Sequence, residues 1–478
     1  MTATTNLLRR LGVCEGLNGT TLGYLATAAD TYGFAVCNKN GTMTFELTGE
    51  YEAGNAIGES KYFHDMDVIW FTVCASFVFL MQAGFSMLEA GSVSSKNTIK
   101  ILFKNLLDAC IGAIFYYGIG SGLAKGSPSN YGFVGTPFGH RPSNFEYSDG
   151  GEGSGTLFYT EFFAFSFAAT AATIVSGSVA ERSNLIAYFI YALAITVFIY
   201  PVVVHWVWNE EGFLYKMGFV DFAGSGVVHI VGGFSGLVGA VCVGPRTGRF
   251  TKEGVANPMP GHSMVMCSLG VMILWFGWYG FNCGSTLGAK GSMDLAGRVA
   301  VTTTLAAATA SFTATFYIKI TSKHFDLAVA LNAVIAGLVS ITAGCATMDT
   351  YSACATGAIG AMVYIFASKL MLKLQIDDPL EASPIHGFCG MWGVLAAGIF
   401  GTIDEKSLIE GGYSIPTENG GLLGVQFIGL CSIVAWTVAT SMLVFVPLRR
   451  LKILRVPKMM EFAHSRKKIT PGFGVVPE

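Results

Sequence analysis

Eleven apolar runs, each near the roughly 20 residues that carry a helix across the hydrocarbon core of a bilayer, set the terms on which this chain can fold. They lie near 68–90, 98–123, 157–179, 184–205, 222–244, 262–284, 295–318, 326–345, 351–374, 385–402 and 421–447. Charge is scarce to match: 13% of the 478 residues are Asp, Glu, Lys or Arg, against roughly 25% in a soluble domain. The sequence predicts an all-α polytopic membrane protein with eleven transmembrane helices. A polar segment at 1–64 precedes the transmembrane domain at 65–447, and a basic tail follows at 448–478.

The distribution of Lys and Arg orients the chain. With the N-terminus outside, nineteen of the 29 basic residues fall on the cytoplasmic side, eight of them in the tail. Outer loops are acidic instead, with Glu210 and Glu211 in one and Asp404, Glu405, Glu410 and Glu418 in another. Such a rim concentrates cations. The expectation is a plasma-membrane protein, N-terminus extracellular and C-terminus cytoplasmic. The basic residues sit in short loops and a tail, so nucleic acid is not an expected partner.

The eleven cysteines show no CxxC or Cys/His metal spacing, and most lie within apolar runs, where cysteine behaves as a small hydrophobe. Cys14 and Cys37 in the polar segment are candidates for a disulfide if that segment is extracellular. Asn18 and Asn40 head Asn-Gly-Thr sequons, the basis for expecting a glycoprotein. Lys100, Lys104 and Asp108 stand at i, i+4 and i+8 in the second run and are expected to pair along one face as a structural salt bridge.

One pattern occurs twice. DFAGSGVVHIVGG (221–233) places His229 eight residues after Asp221, and DDPLEASPIHGFCGMWG (377–393) places His386 eight after Asp378. Glycines follow at matching offsets, Gly233 and Gly236 in one copy, Gly390 and Gly393 in the other. The copies open the fifth and tenth runs, so each half holds five spans, and an odd number inverts the second half relative to the first. A five-plus-five inverted repeat with one additional C-terminal helix follows. In such folds the substrate path runs along the interface of the repeats, so both histidines should project toward one axis. Two neutral imidazoles sharing a hydrogen bond offer a donor and an acceptor to whatever passes, and they could relay a proton. A metal site needs more ligands, and only Cys389 offers itself; none is expected. Asp221 and Asp378 read as helix N-caps, with Asp221 also lending its charge to an entering cation.

Aromatic residues supply a third element. Trp206 and Trp208 precede the acidic loop, Phe163 and Phe167 share a helical face, and Phe281 and Ser285 do likewise in GWYGFNCGS (277–285). At the outer ends of spans they are candidates for a cation–π cage. There is no GxxxxGK[ST], no HExxH and no nucleophile–base constellation, so no enzymatic activity and no cofactor are expected.

With these residues in view, the chain resembles the ammonium transporter (Amt/Mep/Rh) superfamily, its plant-type Amt branch in particular. QAGFSMLEAGSVSSKNT (82–98), SGSVAER (176–182), DFAGSGVVHIVGGFSGLVGA (221–240), GWYGFNCGS and HGFCGMWG (386–393) carry the resemblance, which covers about residues 65–455. It implies a homotrimer with one pore per protomer and ammonium or methylammonium as substrate. Carried over by position, it implies an external ammonium site at Trp208, Phe167 and Ser285 with Phe163 nearby. It further implies a stacked gate at Phe167 and Phe281, pore histidines at His229 and His386, and the acidic residue at Asp221. The tail LRVPKMMEFAHSRKKITPGFGVVPE lacks a clear copy of the family's Gly-rich regulatory segment. A sensor built on the same site and a neutral-gas channel of the Rh kind are the competing readings.

Overall fold

The computed structural model describes residues 35–37, 43–45, 49–126, 128–129, 132–136, 155–289, 291–401, 421–458 and 461; the side chains of 35–63, 128–129 and 155–157 lie outside the description. Cys14, Asn18, Asn40 and the acidic loop at Asp404, Glu405, Glu410 and Glu418 also fall outside it, as does the side chain of Cys37.

Ten of the described helices are long and apolar enough to cross a membrane. They are α1 (His64–Ser92), α2 (Ser95–Lys125), α3 (Phe158–Ser178), α4 (Leu185–Lys216), α5 (Ser225–Val243), α6 (Met264–Gly284), α7 (Met293–Ser322), α9 (Thr350–Lys373), α10 (Ser383–Phe400) and α11 (Gly421–Arg450). The remaining apolar run, expected over 326–345, is helical only as α8 (Leu327–Ile341). Its last residues turn away from the helix axis, and the Ala343 and Thr342 carbonyls accept the amides of Phe222 and Ala223 ahead of α5. Strands among the described residues form two short two-stranded ladders, 35–37 with 43–45 and 128–129 with 134–135, besides two isolated bridges. Large apolar side chains such as Val265, Leu443 and Leu106 are 61–80% exposed; on a soluble protein they would be a liability, and on a bilayer-spanning bundle they meet lipid.

The inverted repeat is visible at the centre. Contacts between α5 and α10 run in opposite senses: Gly236 faces Ser383, Gly233 faces Gly387, Gly390 faces Ile230 and Gly393 faces Ser225. The approach is so close that a Cβ on Gly233 would stand 2.1 Å from the Gly387 nitrogen, which is why the matched glycines are there. Both helices begin with a wide turn of i→i+5 type, at Ser225–Ile230 and Ser383–Phe388. Each start is held by the helix that lies two places before its counterpart in the opposite half. The end of α8 accepts from Ser225 Oγ at 2.7 Å, and Ser178 at the end of α3 donates to Asp378 at 2.9 Å.

The face bearing Arg246 is fastened by ion pairs. Arg246 reaches Asp377 at 2.8 Å and Glu181 at 2.5 Å. Burial alone would raise the Glu181 carboxyl, but hydrogen bonds from Ser94 and Arg246 outweigh it and hold the group at about 2. The beginning of the tail docks here too. Arg455 donates to the Val243 carbonyl at 3.0 Å and to Glu461 at 2.8 Å, while Glu461 accepts from Thr247 Oγ1 at 2.7 Å.

The second helix departs from expectation. Lys104 bonds Glu89 of α1 at 3.2 Å rather than Asp108. Asp108 takes its hydrogen bonds from Thr173 and Tyr188, and Lys100 donates to the Ser183 carbonyl at 2.8 Å. Neighbouring helices supplied nearer partners than the helix's own face did.

Candidate functional site

Apart from Trp206, the aromatic and histidine residues singled out by the sequence form one continuous run of ring contacts. Phe167 of α3 lies on Phe281 of α6 with ring centroids 3.9 Å apart and planes 17° apart. On one side of this stack Phe163 packs against Phe167 at 4.7 Å, and Trp208 meets Phe167 edge-on at 6.0 Å. On the other side Phe281 lies 5.6 Å from the ring of His229. His229 and His386 then stack at 5.2 Å, with their Nδ1 atoms 3.1 Å apart. Phe85 of α1 closes the series 6.3 Å beyond His386.

Local structure positions each group. The Trp208 indole N–H donates to the Asp221 carbonyl at 2.8 Å, which fixes the ring's edge and leaves it standing edge-on to Phe167. Ser285 caps the end of α6, and its hydroxyl donates to the Phe281 carbonyl at 2.9 Å. That spends its proton and leaves the oxygen's lone pairs able to accept. Phe163 packs beside it, since a Cβ on Gly284 would stand 2.7 Å from the Phe163 ring. Gly224 adopts φ 110°, a conformation that suits glycine, and lets the backbone turn beneath Trp208 into α5.

The Asp221 carboxylate is fully buried and faces backbone rather than open space. Oδ1 accepts from the Gly224 amide at 3.0 Å, and Oδ2 from Gly226 and Val227 at 2.8 and 2.9 Å. Any influence it has on a cation is through charge, not contact. Asp378 matches it, accepting from Ala382 and Ser383 at 3.1 and 2.8 Å. Both capping expectations hold.

The imidazole pair has a definite hydrogen-bond logic. Two Nδ1 atoms at 3.1 Å require one to carry hydrogen and the other to accept it. The Nε2 atoms must then be unlike, one an acceptor and one a donor. His229 Nε2 has no partner among the described residues although the ring is fully buried. A small neutral molecule that both donates and accepts suits such a lining; a bare cation meets only one suitable lone pair.

Sequence reading did not single out Phe85 or Trp278, and it misplaced Trp206. Trp278 lies under His229 with centroids 5.1 Å apart and planes 14° apart, and its N–H is fixed on Thr342 Oγ1 at 3.0 Å. The signal was its place three residues before Phe281, on the same helical face. Trp206, conversely, does not join the cluster: it packs among Phe133, Phe213 and Trp436 and donates to the Phe133 carbonyl. Cys389 also turns from its neighbouring histidine, toward the Gly360 carbonyl at 3.4 Å.

Comparison with known proteins identifies the family. The family model described as Ammonium Transporter Family matches residues 69–466. Ammonium transporter 3 of Dictyostelium discoideum is 40% identical over 426 residues, 87% of this chain and 95% of that protein. Ammonium transporter 1 member 1 of Arabidopsis thaliana is 41% identical over 404 residues, 79% of each chain. Among solved structures, the chain superposes on one described as Sensor Amt Protein with a TM-score of 0.77 and 34% identity, covering 84% of this chain and 97% of that one. Mep2 of Saccharomyces cerevisiae superposes with a TM-score of 0.72 and 27% identity, covering 82% and 87%. The relatives are transporters rather than enzymes. This multi-pass membrane protein belongs to the ammonium transporter family.

Proposed function

We propose that this protein takes up ammonium and methylammonium across the plasma membrane in the manner of high-affinity carriers. The cation is recruited by Trp208, Phe163, Phe167 and Ser285 and travels as neutral NH3 past His229 and His386. The observation that carries this reading is the unbroken line from the Phe167–Phe281 stack to the imidazole pair. Aromatic faces attract a cation by about 0.5–2 kcal/mol each, depending on desolvation. K+, of similar size, gains equally from them but has no N–H to offer Ser285. Past the phenyl rings the imidazole pair offers a cation one suitable lone pair, and a bare ion there loses most of its hydration without replacement. Ammonium escapes that cost by leaving its proton behind, while K+ cannot. The shed proton follows through the imidazoles, so transport carries charge. In the remainder of this reading the protein is a homotrimer with one pore per protomer, its N-terminus outside and its C-terminus in the cytoplasm.

The likeness to a protein described as a sensor favours one second reading, in which the site reports ammonium instead of passing it. Expression in cells stripped of their own ammonium carriers separates the readings. Transport with charge gives ammonium-dependent uptake together with an inward current. Uptake without current points to a neutral-gas channel, and binding with neither points to a sensor.

A further inference from the structure

Away from the pore, α1, α2, α3 and α4 enclose a polar cluster. Glu89, Lys104 and Asp108 are 1%, 7% and 0% exposed. Lys104 donates to Glu89 Oε2 at 3.2 Å and stands 4.8 Å over the ring of Tyr188. Ser176 donates to Glu89 Oε1. Tyr188 and Thr173 both point at Asp108 Oδ2, and Thr173 lies 2.9 Å from Gln82 Oε1. Lys100, one turn earlier on α2, is engaged by the Ser183 carbonyl at 2.8 Å rather than by either carboxylate, so two carboxylates against the one ammonium bonded within the cluster leave a surplus negative charge near the middle of the 31-residue helix α2. An uncompensated buried charge at that depth is not sustainable.

Two observations say what balances it. Asp108 Oδ1, Gln82 Nε2 and the Tyr191 hydroxyl have no partner among the described residues, so polar capacity in the cluster is unused. Beside it is a narrow cleft of about 20 Å³ lined by Lys100, Lys104, Glu181, Asn184 and Tyr188, and Glu181 pairs with Arg246. That is space for about one water, which needs roughly 10–15 Å³.

We propose that Glu89 and Asp108 together hold one proton, at a site separate from the histidine pair and reached from the Arg246-bearing face through this cleft. Loading makes an O–H bond on a carboxylate oxygen with a proton delivered by water in the cleft, and unloading returns it by the same route; no electrons move. The groups facing the site are Gln82 and Glu89 from α1, Lys104 and Asp108 from α2, Thr173 and Ser176 from α3, and Tyr188 and Tyr191 from α4, with Lys100 and Glu181 along the cleft. Thr173 and Ser176 share α3 with Phe163 and Phe167, so proton occupancy is felt by the helix that carries the aromatic stack. The inference goes beyond the pore reading and does not depend on it.

Infrared difference spectroscopy of the full-length protein in lipid bilayers at neutral pH tests the charge count. The native protein should show the carbonyl stretch of a buried protonated carboxylic acid. Asp108→Asn and Glu89→Gln should each abolish it, because Lys104 then balances the one carboxylate that remains. Lys104→Met should add a second band of similar size. No band in the native protein, a band that survives both single substitutions, or no gain in Lys104→Met overturns the proposal. So does a band that emerges only when Na+ and K+ are withdrawn, which would make the counter-charge a metal cation.

Discussion

Replacing His386 with alanine is expected to cut ammonium uptake sharply and to admit K+, at normal surface abundance. The imidazole gives up its 3.1 Å hydrogen bond to His229 and leaves that ring's Nδ1 unpaired in a site closed to bulk water. An unsatisfied buried polar group costs about 1–3 kcal/mol. If the passing molecule meets that cost at its barrier, flux falls roughly 5- to 150-fold. Selectivity goes with it, since removing the ring opens a polar void that water can fill, and water lowers the penalty for a bare ion. His229→Ala should act alike and somewhat more severely, because His229 also bridges Phe281 and Trp278. Uptake of labelled methylammonium and K+ currents, normalised to surface protein, check both variants. Native uptake and selectivity in the two of them would remove the shared pore from consideration.

Asp221→Ala carries the second large effect, and it falls on folding as well as on transport. Its carboxylate satisfies the amides of Gly224, Gly226 and Val227. Each buried amide stripped of its acceptor costs about 1–3 kcal/mol, and three together rival the about 5–15 kcal/mol by which a domain is stable at all. The same substitution removes a buried carboxylate from the residue whose carbonyl holds the Trp208 indole. The expected outcome is loss of uptake accompanied by a marked fall in thermal stability. Asp221→Asn should be intermediate, because its amide group can serve either Oδ1's partner or Oδ2's pair but not both. A variant of native stability that has lost transport would assign Asp221 an electrostatic part alone. One that is stable and active would show that the cap is dispensable.

The span count, the inverted repeat and the meeting of His229 with His386 were legible because each rests on periodicity. Run length reports the bilayer, and an eight-residue offset repeated across an odd number of spans fixes which ends face one another. What periodicity omits is which neighbour a side chain finds. Lys104 and Asp108 are adjacent on α2, yet Glu89, Thr173 and Tyr188 claimed them from other helices. Trp206 and Trp208 differ by two positions, roughly 200° around a helix, and so could not share one cage. Hydropathy counted Thr342–Cys345 with α8, although those residues turn to serve the start of α5. The stacking of Phe167 on Phe281 came from family likeness rather than spacing, because the two rings lie on different helices.

Selectivity in this mechanism requires that nothing cross the dry segment between Phe281 and His386 with its charge intact. Purified protein in liposomes, exposed in parallel to gradients of ammonium, methylammonium and K+ while both charge and solute entry are recorded, tests it most directly. The account predicts entry of the first two with accompanying current, and neither entry nor current with K+. K+ entering at a rate comparable to ammonium would contradict it, since K+ has no proton to leave behind.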